Sequence, residues 1–188
     1  YYRCIFDKSK NKMKILAYSH RFSGCSYHRV YLPLISMTGI QAKLTNEIKA
    51  LEIDQYDIFL FNRINNFCDG DLDKIRKTYG CKVVVDIDDS WNLPYGHILY
   101  YEYVSQIGKL IQSNIEQSDA VIVSNEKLAE LVYKSNKNVH VVPNGLPFGL
   151  GQFNDEKIKS DKIRIFWCGG SSHEDDIKIL ENPIKRLD

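Results

Sequence analysis

From Lys14 to about Leu146, short β-rich runs alternate with stretches of helical periodicity, the sequence form of an α/β, Rossmann-like parallel sheet with helices on both faces. The predicted strands are Ile15–Tyr18, Asp57–Phe61, Lys82–Val85, Ala120–Val123 and Val139–Val142. Val30, Leu34 and Met37 give a buried helix face from about Tyr27 to Met37, ending at Gly39, with Pro33 in its first turn or at a kink. Leu72, Ile75 and Tyr79 recur at helical spacing and stop at Gly80, a residue suited to a left-handed terminator. Val104, Ile107, Leu110, Ile111 and Ile115 stripe a longer helix, and Ser124 or Asn125 caps another that carries Leu128, Leu131 and Val132.

Around Pro147–Asp161 glycines, acidic residues and lysines follow one another without period, as in an interdomain linker. Lys162–Cys168 then reads as a new strand, running into Gly169-Gly170-Ser171-Ser172-His173 and a helix with Ile177, Leu180, Ile184 and Leu187 that Asn182-Pro183 interrupts. This opening repeats the Lys14–Tyr18 strand and its Ser23–His28 loop about 148 residues further on. The expected organisation is an N-terminal extension at residues 1–12, a Rossmann-like domain at 13–147 and a linker at 148–161. Residues 162–188 are expected to be the first βα unit of a second Rossmann-like domain, in a piece of a longer polypeptide.

With 188 residues, 44% of them apolar and 26% charged, the chain packs a core, and disorder and low-complexity repeats are excluded. Its 25 basic and 24 acidic residues leave a net charge of +1 without long like-charge runs, so no bulk attraction to nucleic acid or anionic lipid is indicated. Any ligand must be held by a local site. The five cysteines, Cys4, Cys25, Cys68, Cys81 and Cys168, are odd in number and never spaced C-x-x-C, against a disulfide scaffold or a zinc ribbon. They are expected to be reduced thiols in the cytoplasm. Apolar runs such as Ile58–Phe61 and Ala120–Val123 fall far short of the roughly 20 residues of a membrane span.

Three strand ends carry the candidate chemistry. Gly169 to His173 lets the backbone approach a ligand and offers the amides opening the next helix to a phosphate, with His173 as a further donor. Equally, Ser171 and Glu174 spell a capping box. Asp86, Asp88 and Asp89 bunch at one strand tip, where they make a solvated turn with Asp89 or Ser90 as a helix cap, hold Mg²⁺ against a phosphate, or line an interdomain cleft. The first loop, with His20, Arg21, Ser23, Gly24, Ser26, His28 and Arg29, falls at the same sheet edge. Arg29 suits an anion contact; otherwise it and Arg21 are surface charges. His97 is a catalyst or a packing residue, and Tyr100, Tyr101 and Tyr103 pack or face the apolar side of a sugar. No Ser/His/Asp or Cys/His nucleophile set emerges from the spacing.

Asp119–Leu128 followed by Val139–Leu146, with its Pro143-Asn144-Gly145, resembles the close of the N-terminal domain in GT-B glycosyltransferases of the family-four, retaining type. Ser26–Pro33 resembles the Tyr-Arg-x-x-x-Pro opening of a phage and bacterial branch, and Phe166–Asp176 that branch's second-domain start. The resemblance covers about residues 13 to 188. It implies transfer of a sugar from a nucleotide-sugar donor to an acceptor: a glycan, a lipid-linked glycan, a protein or a modified nucleic acid. Neither metal nor cofactor is implied besides the donor. Gly169, Gly170, Ser171, Ser172 and His173 would bind the donor. Gly24, Ser26, Arg29, Asn144 and Gly145 would border the acceptor or phosphate side, and Asp86, Asp88 and His97 would line the cleft as catalytic candidates. Positioning and electrostatics would then do most of the catalysis. The family's Glu-x7-Glu region would lie beyond Asp188, so this piece is expected not to turn over alone.

Val83–Ser90 also resembles the first motif of haloacid-dehalogenase-type phosphatases, with Asp86 as nucleophile, Asp88 as acid, Mg²⁺ between them and Val121–Asn125 as second motif. The βαβ unit preceding Asp86, and the glycine loop ahead of Asp175-Asp176, count against it. A non-catalytic Rossmann-like docking module is the other alternative.

Overall fold

A computed structural model describes residues 12–19, 23–47, 55–65, 71–149, 153–154, 159–167, 169–170 and 177–186. Six strands, β1 (Met13–Tyr18), β2 (Ile40–Thr45), β3 (Ile58–Asn62), β4 (Lys82–Ile87), β5 (Ala120–Val123) and β6 (Val139–Val141), form one sheet in the order β2-β1-β3-β4-β5-β6. All five pairings are parallel. The strands read as apolar runs because helices bury both faces of a parallel sheet. Leu16, Ala17, Phe59, Phe61, Val83 and Val85 are fully buried accordingly. Sequence periodicity located five of the strands, and the structure adds β2 at the edge.

Helix α1 runs through Gly24–Ser26, a π-helical stretch Tyr27–Tyr31, and Leu32–Ser36. The Ser23 hydroxyl caps it by accepting from Ser26 N at 3.2 Å. Pro33 lies in mid-helix, not in the first turn. The widened stretch ahead of it, where Leu32 N–H bonds Tyr27 O five residues back, makes room for the ring. Helix α2 (Leu72–Tyr79) is capped by Asp71 and terminated at Gly80, whose φ of 67° is left-handed. Helix α3 comprises Tyr100–Glu102, a π-helical Tyr103–Ile107, and Gly108–Gln117. A Cβ on Gly108 would sit 2.7 Å from Tyr103 O and 3.0 Å from Trp91 O, so this close approach demands glycine. Asn125 caps α4 (Glu126–Val132), accepting from Leu128 N at 3.0 Å.

The β1-to-β2 connection crosses the sheet in the opposite direction to the later ones. Right-handed crossovers therefore put α1 on one face and α2, α3 and α4 on the other. Val30 and Leu34 of α1 pack on Ile15, Ala17, Ile40, Ala42 and Leu60. Leu72, Ile75, Ile111, Ile115, Leu128 and Val132 pack on the alternate residues of β1, β3, β4 and β5. Beside α1, Ile58, Leu60, Val84 and Ile122 floor a groove of about 650 Å³, and Met37, expected in the core, lines it half exposed.

Of the strand predicted at Lys162–Cys168, Cys168 lies outside the described residues and 162–167 belong to no strand, with Ile163 and Phe166 95% and 86% exposed. Among the described residues no strand lies alongside this segment to bond its amides and carbonyls. A short helix α5 (Glu181–Ile184) follows, with Pro183 in its first turn. Among the described residues, no helix is long and apolar enough to cross a membrane.

Candidate functional site

The carboxyl ends of β1, β3, β4 and β5 share one edge, and the parallel register sets Asn62 beside Asp86 and Ile87 beside Val123. A network of charged and amide side chains gathers there. Asp86, on the α1 face of β4, has a side chain only 1% exposed, and that of Arg29 is 4% exposed. Arg29 Nη2 donates to Asp86 Oδ1 at 2.7 Å, and Nε donates to Oδ1 and Oδ2 at 3.1 and 3.3 Å. Its Nη1 donates to Val142 O (2.6 Å) and Asn144 Oδ1 (3.0 Å). One guanidinium thus ties α1, β4 and the exit of β6 together. Burial pushes the Asp86 carboxyl up, against the hydrogen bonds and charge of Arg29 and the amide of Asn62.

Asp88, one residue beyond β4, has a different setting. Arg63 Nε donates to its Oδ1 at 2.7 Å and Asn62 Nδ2 at 3.1 Å, while its own carbonyl accepts from the Ser124 hydroxyl at 3.0 Å. Burial alone would raise this carboxyl, but the Arg63 charge and the bonds from Arg63, Cys25 and Asn62 hold it below the ordinary aspartate range. Asp89, 71% exposed in its side chain, lies 3.6 Å from Arg63 Nη2. The Cys25 thiol is pushed up to about 11, first by burial and then by its hydrogen bond to Asp88, so it is a neutral donor and not a nucleophile.

The expected site residues therefore separate. Ser26 is buried in the first turn of α1 with its hydroxyl 3.2 Å from that of Ser23, and Gly24 opens that helix in open space. Asn144 joins the network through Arg29, and Gly145 follows in open space. His97 turns inward on its own loop, with Nδ1 accepting from Leu99 N at 3.1 Å; among the described residues, no hydrogen bond of Asp86 or Asp88 reaches it. Gly169 and Gly170 are exposed and lie in no element, while Ser171, Ser172 and His173 lie outside the described residues. Neither Asp89 nor Ser90 caps a helix: the next begins at Tyr100. The anion contact expected of Arg29 is corrected, because its three nitrogens are already engaged and buried.

Sequence reasoning passed over Asn62 and Arg63. Arg63 has a φ of 58°, the left-handed region, alone among the described non-glycine residues. Its N–H donates to Asp86 O at 3.0 Å, its carbonyl accepts from the fully buried Asn114 at 3.0 Å, and Ile64 N closes the turn on Asn62 O at 2.7 Å. A polar pair directly after a four-residue apolar run was the available signal.

Acid stability tests this description. Asp88 titrates below its unfolded value of about 3.9, so its contribution is complete above that pH and disappears as the pH falls through the lower folded value. Asp119 acts in the same sense: burial raises it, but Val83 N, Arg76 and Lys82 overcome that and hold it low. Urea midpoints are therefore expected to fall as the pH drops below about 4, and less steeply in Asp88→Asn. Identical acid limbs in the two proteins would contradict the Arg63 pairing.

No family model matches the chain, and no curated protein matches it. Among solved structures it is similar to a chain of O-acetylhomoserine sulfhydrylase, from the methionine biosynthetic pathway of Wolinella succinogenes, at 17% identity and a TM-score of 0.27. The overlap covers 44% of this chain and 25% of that one, so this chain spans about a quarter of that protein.

Proposed function

We propose that the chain forms the acceptor-side domain, and the opening of the donor-side domain, of a GT-B-type glycosyltransferase that moves a sugar from a nucleotide-sugar to an acceptor. The observation that carries this reading is the anchoring of the β6 exit. Arg29 binds Val142 O and Asn144, so the Pro143-Asn144-Gly145 turn leaves the sheet at the ligand-binding edge. A lobe that followed would close over that crevice, as a two-lobed transferase requires. In this reading Asp88, fixed and ionised beside Arg63, would accept a hydrogen bond from an acceptor hydroxyl, and a preorganised polar edge of this kind favours positioning and charge stabilisation.

The same geometry speaks against the phosphatase alternative. A nucleophilic aspartate must reach substrate, and Asp86 is enclosed with both oxygens bonded, Oδ2 accepting from Asn62 Nδ2 at 2.9 Å as well as from Arg29. Titrating the labelled protein with UDP-, GDP- and ADP-sugars tests the reading: amide shifts are expected at residues 62–64, 86–89 and 142–145, unchanged by EDTA. Magnesium-dependent hydrolysis of p-nitrophenyl phosphate that disappears in Asp86→Asn would overturn it.

A further inference from the structure

Among the described residues two arginines reach the crevice, and they differ in how far their terminal nitrogens are committed and buried. All three Arg29 nitrogens are buried and bonded, to Asp86, Val142 O and Asn144. Arg63 commits Nε to Asp88, whereas among the described residues Nη1 meets only the Tyr103 hydroxyl at 3.4 Å and Nη2 only the exposed Asp89 at 3.6 Å, beyond hydrogen-bond reach. Its terminal edge, two nitrogens in one plane, is the part of a guanidinium that matches two oxygens of a phosphate.

Position points the same way. The order β2-β1-β3 reverses the direction of chain progression between β1 and β3, and crevices outside the carboxyl ends of strands at such a switch point bind ligands. Arg63 is the first residue after β3. Its left-handed backbone, which glycine or asparagine adopts more readily, is held by Asp86 O, Asn114 and the Ile64 turn, and strain of that kind collects at ligand sites. The local charges nearly balance: Arg29 neutralises Asp86 and Arg63 neutralises Asp88, which leaves the exposed Asp89, whose Oδ1 accepts from Ser90 N at 2.8 Å, as the one carboxylate opposing an anion.

We propose that Arg63 is the anion-recognising residue of the crevice, its Nη1 and Nη2 edge binding the phosphate of a phosphorylated substrate. This rests on the crevice being a ligand site, as above, but not on sugar transfer. Phosphate could come from a nucleoside diphosphate or from a phosphorylated acceptor, and separate probes distinguish the two.

The ¹⁵N-labelled full chain is titrated in turn with inorganic pyrophosphate, UDP, GDP and glucose 1-phosphate while the backbone amides of residues 62–64 and 86–89 are followed, with the Arg63 Nε–Hε resonance as a further probe in the native protein and in Asp89→Asn. A saturable shift is expected, weakened at least about tenfold in Arg63→Gln, only partly in Arg63→Lys, and strengthened in Asp89→Asn. Arg63→Gly suits the left-handed backbone and so keeps the fold, yet is expected to lose the binding as Gln does. A preference for the diphosphates points to a donor and a preference for the sugar phosphate to an acceptor; either supports the assignment. Pyrophosphate binding equal to the native protein in both Arg63→Gly and Arg63→Gln, or no saturable shift with any probe, would overturn it. Arg63-dependent phosphate binding without any response to nucleotide-sugars would leave this assignment standing and remove the transferase reading.

Discussion

Replacing Arg29 with methionine is expected to destabilise the fold by about 3–5 kcal/mol, a large part of the stability of a domain this size. Nothing else in the crevice can take over its role. Asp86 is enclosed, Asn62 supplies one neutral amide, and burial already disfavours the ionised carboxyl. The variant would leave a buried carboxylate to be protonated or hydrated at the cost of local packing, and would release Val142 O and the Asn144 side chain at the β6 exit. Pairing it with Asp86→Leu should recover most of the loss, because exchanging both members of a buried ion pair for apolar groups removes the desolvation penalty as well as the attraction. Urea denaturation of the two single variants and the double gives the coupling energy directly. A loss under about 1 kcal/mol for Arg29→Met, with additive singles, would mean that the pair is solvated in solution and that α1 is not fastened to β4 through it.

The fold was legible where both faces of a strand are covered, because there the pattern is a plain apolar run: Ile58–Phe61 and Val83–Val85 announce themselves. β2 carries the other pattern, Ile40, Ala42 and Leu44 alternating with Gln41, Lys43 and Thr45, as an edge strand with one well-packed side does. Overlooking it had a consequence for the site. Without β2, β1 becomes an edge, the strand order has no reversal, and nothing marks the loop after β3 as ligand-facing. Arg63 was hidden for that reason, and because a left-handed φ leaves no periodic trace. Arg29 was visible but misread, since its partner lies 57 residues away and only the register of β4 against the neighbouring β3, with α1 overhead, brings the two together. The three bunched aspartates likewise gave one signal and took three roles: Asp86 buried and paired, Asp88 fixed and ionised, Asp89 exposed.

Phe59→Ala is expected to cost about 3–5 kcal/mol, whereas Phe166→Ala in the same chain should stay within about 0.5 kcal/mol of the native protein. Both phenylalanines sit in short β-rich runs of similar composition, so local sequence does not separate them. Burial does. Phe59 is fully enclosed between β1, β4 and the helices of the α2–α4 face, with its ring 5.5 Å from that of Phe61, while Phe166 is 86% exposed beside the similarly bare Ile163 and Ile165. Truncating Phe59 removes transfer free energy and leaves a cavity that stiff β-branched neighbours cannot close; truncating Phe166 removes surface already in water. Equilibrium denaturation of the two variants measures the difference. A cost above about 1 kcal/mol for Phe166→Ala would place its side chain in a packed interior within this chain. The reading of residues 162–188 as the opening of a second core would then fail.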